Sequence, residues 1–579
     1  MTDARTLPIP AEHREFTVRV DGTEVSREHQ LNSVTISTVA NRIASARISY
    51  LDGSASAGDF SLSNEDLFQP GRTIEILAGT DSHTDSLFHG IVVRHTVRVR
   101  DHSTSQLIVE CRHAAMKLTV GRKNASFLNQ SDSSVMETLL SAAGTQGDIE
   151  PTSLKHKQLV QFHATDWDFL LARAEANGKL VLTRGDKVDV KAPLLSGSPV
   201  CTLKFGATLL ELDAEIDARH QFAAVQGVSW DAAAQKLLNV DGVEPLMSGP
   251  GNLAPATLAT VAGAPRIELQ HAAVSKSEAQ AWADATWMRS RINKVSGRGK
   301  CEGIGSIHLG DVITLAGVGA RFNGDVYVTG VRHDFDLVQG WKTHVQFGGL
   351  EREPRDANSA SAPSAGGLLP RVSGLQIGIV VSNEDPDGET RVQIRLPLVS
   401  KGDGIWARVA TLDAGRDRGF FFRPEIGDEV VVGFLEEDPR CPVILGMLHS
   451  IAKPAPLKAS KQNHKKVYKS RSGLRFAFDD QKREIALDTP AGNRLVLNEN
   501  KKSIVLQDQN GNSVTLSSDG IQIKSAKAVI INAGTEVSIE SGTSVSVAGG
   551  TELKLESSTT AELSCSGITK VVGSLVQIN

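Results

Sequence analysis

The sequence predicts a mainly β protein with an N-terminal two-barrel region that carries helical insertions, a small closed barrel and a C-terminal β-helix in which three chains intertwine. Three observations support this fold class. The last sixty residues repeat one short pattern every eight residues, alternating runs fill much of the preceding chain, and 52 glycines supply turns. Aromatic residues make up only 5% of the chain, which is typical of turn-rich β structure.

The repeat begins near Gly520, where two apolar residues stand two positions apart and the pair recurs every eight residues. Side chains two apart lie on one face of a strand, so each repeat predicts a strand with an apolar face. Glycines between the strands, such as Gly534 and Gly542, predict corners. The predicted core residues are Ile521, Ile523, Val529, Ile531, Val537, Ile539, Val545, Val547, Leu553, Leu555 and Leu563.

Eight residues are too few for one chain to close a turn of a β-helix, because a triangular coil needs about twice that length or more. We therefore predict that each repeat forms one wall of a prism and that three chains supply the walls. Burial of the two apolar side chains is worth about 3–6 kcal/mol per repeat. The alternative is a flat antiparallel meander, although meanders rarely hold so even a spacing.

Residues 1–350 predict two barrels with a helical insertion at about 130–200, and we call this N-terminal region the hub. Helical spacing follows Ser134 and Thr165, where Thr165 or Asp166 can cap free amides, and a longer helix is predicted from Ser277 to Asn293. Alternating runs predict half-buried strands. They lie at 16–20, 33–36, 73–77 and 107–110 for the first barrel, and at 311–315, 326–328 and 344–347 for the second.

The rest of the chain falls into four predicted segments. Residues 351–370 are rich in Ser, Ala, Gly and Pro, which predicts a flexible linker. Residues 371–450 predict a closed barrel of the oligonucleotide/oligosaccharide-binding (OB) shape, and lysines mark 451–475 as a basic connector. Residues 476–579 predict the β-helix, whose first apolar pairs recur every nine or ten residues and predict wider coils before the eight-residue repeats.

Composition excludes several classes of protein. A formal net charge of −5 over 579 residues gives no signal for a nucleic-acid partner. No apolar run approaches a membrane span, and the polar start at Met1 predicts neither a signal peptide nor a stable membrane anchor. The five cysteines are widely spaced and form no C-x-x-C motif, which predicts reduced thiols in the cytosol and no zinc site.

The motifs that could carry chemistry favour structural roles. The segment 383–388 resembles the start of a calcium loop, but Ile394 stands where such a loop needs its bidentate glutamate. Asp166 and Asp168 flank a helix start, where carboxylates complement the helix dipole. We therefore predict no catalytic residue, no cofactor and no metal site.

Several blocks in the OB segment follow one another in a recognisable order: Gly378–Pro386, Arg391–Pro397, Trp406–Val409, Pro424–Phe434 and Asp438–Gly446. Together they resemble the spike proteins of contractile injection machines, the VgrG family. The stretch from Asp166 to Leu170 is also similar to a motif of the phage late-control tail protein, the hub half of that family. The resemblance touches the hub, the barrel and the β-helix.

The resemblance implies a homotrimer whose hub barrels form a pseudo-sixfold ring on a hexameric inner tube within a baseplate. It also implies an OB collar and a β-helical needle that is pushed through a target envelope, with a PAAR-repeat protein on its blunt end and effector cargo as a further partner. Val576 and Ile578 fall one position early in the repeat and are our candidates for docking the tip protein. Assembly is expected in the cytoplasm, before the particle is released or contracts.

We predict a non-enzymatic spike whose work is mechanical. The chain ends directly after the repeats, so no appended effector domain is expected. One alternative is a spike-borne peptidoglycan hydrolase, for which only the short segment Ser450–Phe476 would be available, and another is a glycan-binding tailspike or adhesin. The machine is an extracellular contractile injection system, a type VI secretion apparatus or a phage tail, and we favour the first.

Overall fold

Antiparallel sheet dominates the computed structural model, which describes residues 15–80, 83–101, 104–247, 249–261, 263, 266–350, 363–399 and 404–578. The chain divides into two units, one up to His449 and one from Ser450. Most strand pairs in both units are antiparallel, and the predicted mainly β fold class is confirmed. Among the described helices, none has the length and apolar character needed to cross a membrane.

The first part of the hub is an antiparallel sheet with one apolar face. Alternation places Val34 and Ile36 of one strand and Ile74 and Ile76 of another in the same buried core. The elements are β1 (Glu15–Val20), β2 (Thr23–Glu24), β3 (Leu31–Val39), β4 (Ser45–Leu51), α1 (Ser61–Asn64), β5 (Thr73–Thr80), β6 (His83–Arg98) and β7 (Gln106–Arg112). The four strands predicted for the first barrel all lie within these elements.

The insertion that follows mixes helices with strands. Hydroxyl caps start both helices, because the Ser131 Oγ accepts from the Ser134 amide and the Thr165 Oγ1 accepts from the Asp168 amide. Buried Trp167, Phe169 and Leu170 belong to its core. The elements are β8 (Lys123–Ser131), α2 (Asp132–Ala142), β9 (Gln146–Ile149), β10 (Lys155–Ala164), α3 (Asp166–Ala176), β11 (Leu180–Arg184) and β12 (Lys187–Lys191).

The second part of the hub surrounds a core of its own, which includes Ile313, Val328 and Phe347. Its elements are β13 (Thr202–Lys204), β14 (Leu209–Ile216), β15 (Val225–Asp231), β16 (Lys236–Asp241), α4 (Pro255–Ala259), β17 (Ile267–His271), α5 (Lys276–Ile292), β18 (Val295–Glu302), β19 (Val312–Ala316), β20 (Gly324–Asp336) and β21 (Gly340–Phe347). The strands of both predicted barrels belong to one thirteen-stranded sheet, because β3 and β20 pair along their length.

The linker prediction at 351–370 falls partly outside the described residues, which resume at Pro363. The part that is described differs from the prediction. Residues Ser364–Gly367 form a 3-10 turn, and the following Leu368 and Leu369 are buried in two cores of the hub. Two large apolar side chains after the glycines therefore hold this end of the segment in place, whereas composition alone predicted flexibility.

The OB barrel is the one closed barrel among the described residues, and its wall strands follow one another in the order Gln376–Ser382, Val392–Arg395, Ile405–Val409, Pro442–Met447 and Glu429–Phe434. Val380, Val392, Ile394 and Val432 point into its core. The strands are β22 (Gln376–Ser382), β23 (Val392–Arg395), β24 (Ile405–Val409), β25 (Ala414–Gly415), β26 (Arg418–Gly419), β27 (Glu429–Phe434) and β28 (Pro442–Met447). The short pair β25–β26 forms a separate hairpin that is not part of the barrel.

A buried ion network joins the hub to the OB barrel. Arg440, which precedes β28, donates to both carboxylate oxygens of Glu278 in α5, at 2.7 and 2.8 Å, and to Asp438 at 2.7 Å. Arg173 in α3 lies 3.2 Å from the same Glu278 and donates to Asp132 at 2.6 Å. Burial alone would raise the pKa of the Glu278 carboxyl, but the charges of Arg440 and Arg173 outweigh burial and hold that pKa below its usual range.

The C-terminal unit begins with a seven-stranded antiparallel meander within a single chain. Its strands are β29 (Lys465–Lys469), β30 (Arg475–Asp479), β31 (Glu484–Asp488), β32 (Arg494–Asn498), β33 (Ser503–Gln507), β34 (Ser513–Ser517) and β35 (Gly520–Lys524). Strand β29 lies inside the segment predicted as a basic connector. The wider coils predicted before the eight-residue repeats are wrong, because each strand there pairs antiparallel with the next strand of the same chain.

Candidate functional site

One face of the meander carries two columns of apolar side chains, which we call the apolar face. Each column runs through the strands by direct cross-strand pairing. The first column is Tyr468, Phe476, Leu487, Leu495, Leu506, Val514 and Ile523, and the second is Phe478, Ile485, Leu497, Ile504, Leu516 and Ile521. The prediction that residues two apart share one face of a strand holds in every pair.

The apolar face is exposed in the single chain. Its aromatic pair Phe476 and Phe478 stands in contact, with ring centroids 4.8 Å apart, yet both side chains remain open to solvent. At the far end of the face, Ile521 is 73% exposed. Monomeric soluble proteins rarely leave so long an apolar surface in water, so this face marks an interaction site.

The opposite face of the meander, which we call the charged face, is built differently. Arg475 and Asp488 form an ion pair at 2.6 Å, and Arg494 lies 3.3 Å from the same carboxylate. Small Ala486 and Val496 stand between these long side chains on the same face and are buried. The charged ends of the arginine side chains reach water while their aliphatic parts cover apolar surface, so the charged face needs no partner.

The structure places the eleven predicted core residues in two different settings. Ile521 and Ile523 lie in β35 and extend the two columns of the apolar face. The other nine lie beyond Lys524, where no described residue belongs to a helix or strand of this chain and every described side chain after Ser525 is exposed. They are Val529, Ile531, Val537, Ile539, Val545, Val547, Leu553, Leu555 and Leu563. Their burial between chains stays a prediction.

The predicted tip residues Val576 and Ile578 are also exposed. Four more exposed apolar residues stand close to them in sequence and were not singled out by the repeat pattern. They are Ile568, Val571, Val572 and Leu575. The regular alternation of apolar and polar positions therefore breaks down in the last part of the chain, and this departure was the available signal.

The described residues contain no cluster of three His, Cys, Asp or Glu side chains with the geometry to hold a metal ion. Asp166 accepts from the Gln161 amide at 3.0 Å and pairs with Lys123, and Thr165 caps the same helix. These contacts give the Asp166 carboxylate a structural role at a helix start.

A longer repeat in the meander was not among the predicted features. Gly473, Gly492 and Gly511 recur every nineteen residues and all adopt positive φ angles, of 87°, 102° and 86°. Arg483 and Lys502 stand at the other edge of the sheet, also nineteen apart and with positive φ. Two edges with different turns produce the alternating spacing of nine and ten residues, which is the signature of hairpins rather than of coils.

Family models match three successive parts of the chain. Residues 10–336 match the Alg8 N-terminal domain. Residues 376–449 match the type VI secretion system/phage-baseplate injector OB domain, and residues 484–551 match the phage baseplate V C-terminal trimerisation domain. The last of these matches covers most of the meander and the first eight-residue repeats.

Curated relatives match only in part. The type VI secretion system spike protein VgrG1b of Pseudomonas aeruginosa is 30% identical over 200 residues, which are 32% of this chain and 26% of that protein. VgrG4b of the same organism is 35% identical over 112 residues, or 18% of this chain and 14% of that protein. The actin cross-linking toxin VgrG1 of Vibrio cholerae is 30% identical over 132 residues, which are 21% of this chain and 12% of the toxin. This chain thus spans about a quarter or less of the length of these relatives.

Among solved structures, a chain of the lidless PdpA-VgrG complex is similar to this protein with a TM-score of 0.53 and 8% sequence identity. The match covers 89% of this chain and 98% of the chain in the complex. This likeness concerns the fold. The Alg8 N-terminal domain model covers more than half of the chain, and the injector OB and trimerisation domains follow it in order. The chain therefore belongs to the family with the Alg8 N-terminal domain, and it is similar to spike proteins of the VgrG type.

Proposed function

We propose that this chain forms the homotrimeric spike and hub of a contractile injection system, which caps an inner tube and pierces a target envelope without enzymatic activity. The observation that carries the proposal is the exposed apolar face of the meander, whose two columns lead directly into the eight-residue repeats. A surface of this length requires a partner of matching length, and a second and third copy of the same chain supply one.

The number of chains follows from the repeat. In a series of hairpins the chain reverses direction at each turn, so the turns at the two edges of the sheet differ and the sequence spacing between apolar pairs alternates. A chain that always turns in the same direction has one constant spacing between its apolar pairs. The spacing beyond Gly520 is constant at eight residues. One such repeat is too short for a complete turn of a triangular coil, so three chains each supply one wall.

The charged face supports the same arrangement from outside. If the apolar faces of three meanders meet at an axis, the ion pairs of Arg475, Arg494 and Asp488 face water. A needle that is dry inside and charged outside resists bending, because the backbone hydrogen bonds of its eight-residue repeats join neighbouring chains and burial contributes about 3–6 kcal/mol per repeat. Its work on an envelope is therefore mechanical.

The partners are proposed from the same family. The hub would contact the inner tube and the baseplate, a PAAR-repeat protein would occupy the tip, and effector cargo would travel with the spike. Assembly would take place in the cytoplasm. The relatives named as spike proteins support a non-enzymatic role, and the described residues 450–464, between the barrel and the meander, hold no helix or strand of an inserted hydrolase.

The mass of the full chain in solution tests this proposal. Light scattering at micromolar concentration is expected to give three times the chain mass of 61.8 kDa. A monomer cannot bury its apolar face, since the single chain leaves that face exposed. A strictly monomeric mass would contradict the proposed trimer and therefore the proposed spike function.

Docking of the tip protein is tested by two substitutions near the end of the chain. In the variant Val576→Ser/Ile578→Ser, a PAAR-repeat protein from the same organism is expected to bind at least about tenfold more weakly, because two buried apolar side chains per chain are lost. Binding is measured by titration against the full-length protein. The control Gln577→Ser changes the polar residue between them and should bind as the wild type does; equal affinity in all three proteins would place the docking site elsewhere.

A further inference from the structure

A short hairpin stands beside the OB barrel, from Thr411 to Phe422, and we call it the aromatic hairpin. Its two sides are tied together, because the Phe420 amide donates to the Asp413 carbonyl at 2.9 Å and the Thr411 hydroxyl donates to the Phe420 carbonyl at 3.1 Å. Gly419 has a φ of +124°, and a Cβ there would lie 2.4 Å from the Asp413 carbonyl oxygen. Only glycine fits this close approach, so the hairpin is a defined structure.

The aromatic hairpin presents apolar side chains to solvent. Leu412 is 89% exposed, Phe421 is 74% exposed and Phe420 is half exposed. Within the hairpin the charges cancel, because Arg418 pairs with Asp413 at 2.7 Å and Arg416 stands next to Asp417. Just beyond it, the Arg423 guanidinium lies 5.8 Å from the centroid of the Phe421 ring and donates to two backbone carbonyls. An apolar tip without net charge favours an apolar protein surface over an anionic one such as phospholipid headgroups or nucleic acid.

A second exposed apolar patch lies on the outside of the barrel, across β22, β27 and β28, and we call it the barrel wall. Ile377 pairs with Val431 on the outward side of these strands. Leu375 and Leu445 approach each other over Gly433, where an added Cβ would lie 3.6 Å from Leu375 and 3.2 Å from Leu445. Leu375, Ile377 and Leu445 are all exposed, whereas the inward residues of the same strands fill the barrel core.

The two patches are different surfaces of the same barrel region, and a ring of three requires two different surfaces on each copy. Copies related by a threefold rotation contact each other through two different surfaces, so that each copy offers one surface to the copy before it and the other to the copy after it. The match to a trimerisation domain at residues 484–551 lies in the same chain, so the barrels of an assembled trimer are tethered at an effective concentration of about millimolar. Even a small apolar contact forms under that condition.

We propose that the aromatic hairpin of one protomer docks on the barrel wall of the next protomer, so that the three OB barrels close into a ring. The occupant of the wall is thus a second copy of this chain. The inference rests on the proposed trimer, but it adds a contact that the C-terminal unit does not require.

Disulfide cross-linking tests the contact in the full chain. The two thiols that are not buried are first removed by Cys565→Ser and Cys441→Ser, since the other three cysteines are buried and shielded from mild oxidation. Two differently tagged chains are then coexpressed, one with Phe421→Cys and one with Leu445→Cys. Mild oxidation is expected to give a cross-linked species that carries both tags. The control pair combines Phe421→Cys with Glu389→Cys, an exposed position in a loop of the barrel, and is expected to cross-link at least tenfold less.

The outcomes separate this inference from the proposed function. A monomeric mass for the unsubstituted chain removes the trimer itself and is measured first. A trimeric mass without the mixed cross-link, or with Phe421→Cys chains linked only to each other, overturns the docking alone. Flotation with anionic vesicles that is lost in Phe421→Ser would assign the hairpin to a membrane and also overturns the contact.

Discussion

Replacing Val545 and Val547 by aspartate is expected to abolish the trimer, so that the full chain has a monomeric mass by light scattering. The double substitution removes six apolar side chains per trimer, a loss of about 9–18 kcal/mol at ordinary values for buried side chains. It also places carboxylates where the proposed axis is dry, which costs several further kcal/mol for each charge. No trimer of this size is expected to survive both effects.

A matched control lies in the same repeat. Ser546→Asp/Ala548→Asp adds the same two charges one position away, on the outward side of the predicted strand. All four side chains are exposed in the single chain, so the monomer does not distinguish the two variants. The control should keep the trimeric mass. Equal behaviour of the two variants, either both trimeric or both monomeric, would contradict the assignment of Val545 and Val547 to the axis.

Removing Arg440 is expected to destabilise the unit that holds the hub and the barrel by about 3–5 kcal/mol, because a buried ion pair loses one partner. Arg440→Ala leaves the buried carboxylate of Asp438 without its arginine, and Glu278 retains only Arg173. Chemical denaturation of the full chain, followed by tryptophan fluorescence at one protein concentration, measures the loss.

The chain offers an exposed ion pair as a control for this substitution. Lys157 of the hub lies 2.9 Å from Asp387 of the barrel, and the Lys157 side chain is 79% exposed. Lys157→Ala also removes one positive charge between the same two parts, yet it should cost less than about 1 kcal/mol because solvent screens the pair. Similar losses in both variants would argue against a special role for the buried network.

The same network predicts a pH dependence. The pKa of Glu278 in the folded protein lies below the ordinary value of 4.5, so its contribution to stability is fully present above about pH 4.5 and is lost as the pH falls through the folded value. In Arg440→Ala the Glu278 carboxylate retains only Arg173 as a partner. Its protonation then removes a poorly paired buried charge and so restores part of the lost stability. The difference in unfolding free energy between variant and wild type should therefore shrink as the pH approaches 4.

Local features were readable from the sequence because they depend on neighbours in the chain. Apolar residues two apart share a face whatever the sheet, so the predicted pairs from Phe476 to Leu516 all lie on the apolar face. Thr165 caps its helix as its residue type predicts. The OB barrel closes around the alternating valines and isoleucines of the predicted strands.

Features that depend on the direction of the chain or on distant residues were not readable in the same way. Apolar pairs spaced by nine residues and by eight residues both predict strands. Only the recurrence of turn glycines every nineteen residues shows that the strands of the meander reverse direction at each turn. Glu278 and Arg440 are 162 residues apart, and no local pattern links them. The burial of Leu368 also depends on the hub surface that receives it.

The meander and the repeats beyond it differ in what they need in order to fold. Each strand of the meander pairs with a strand that begins within about ten residues, and such local pairing is fast and needs one chain only. A newly made chain can therefore order its meander on the ribosome, whereas in the proposed trimer the repeats need two further chains before they can fold. Once three strands are wound around one another they can part only by unwinding, so the finished needle would persist through a kinetic barrier, long after dilution below the concentration at which it formed.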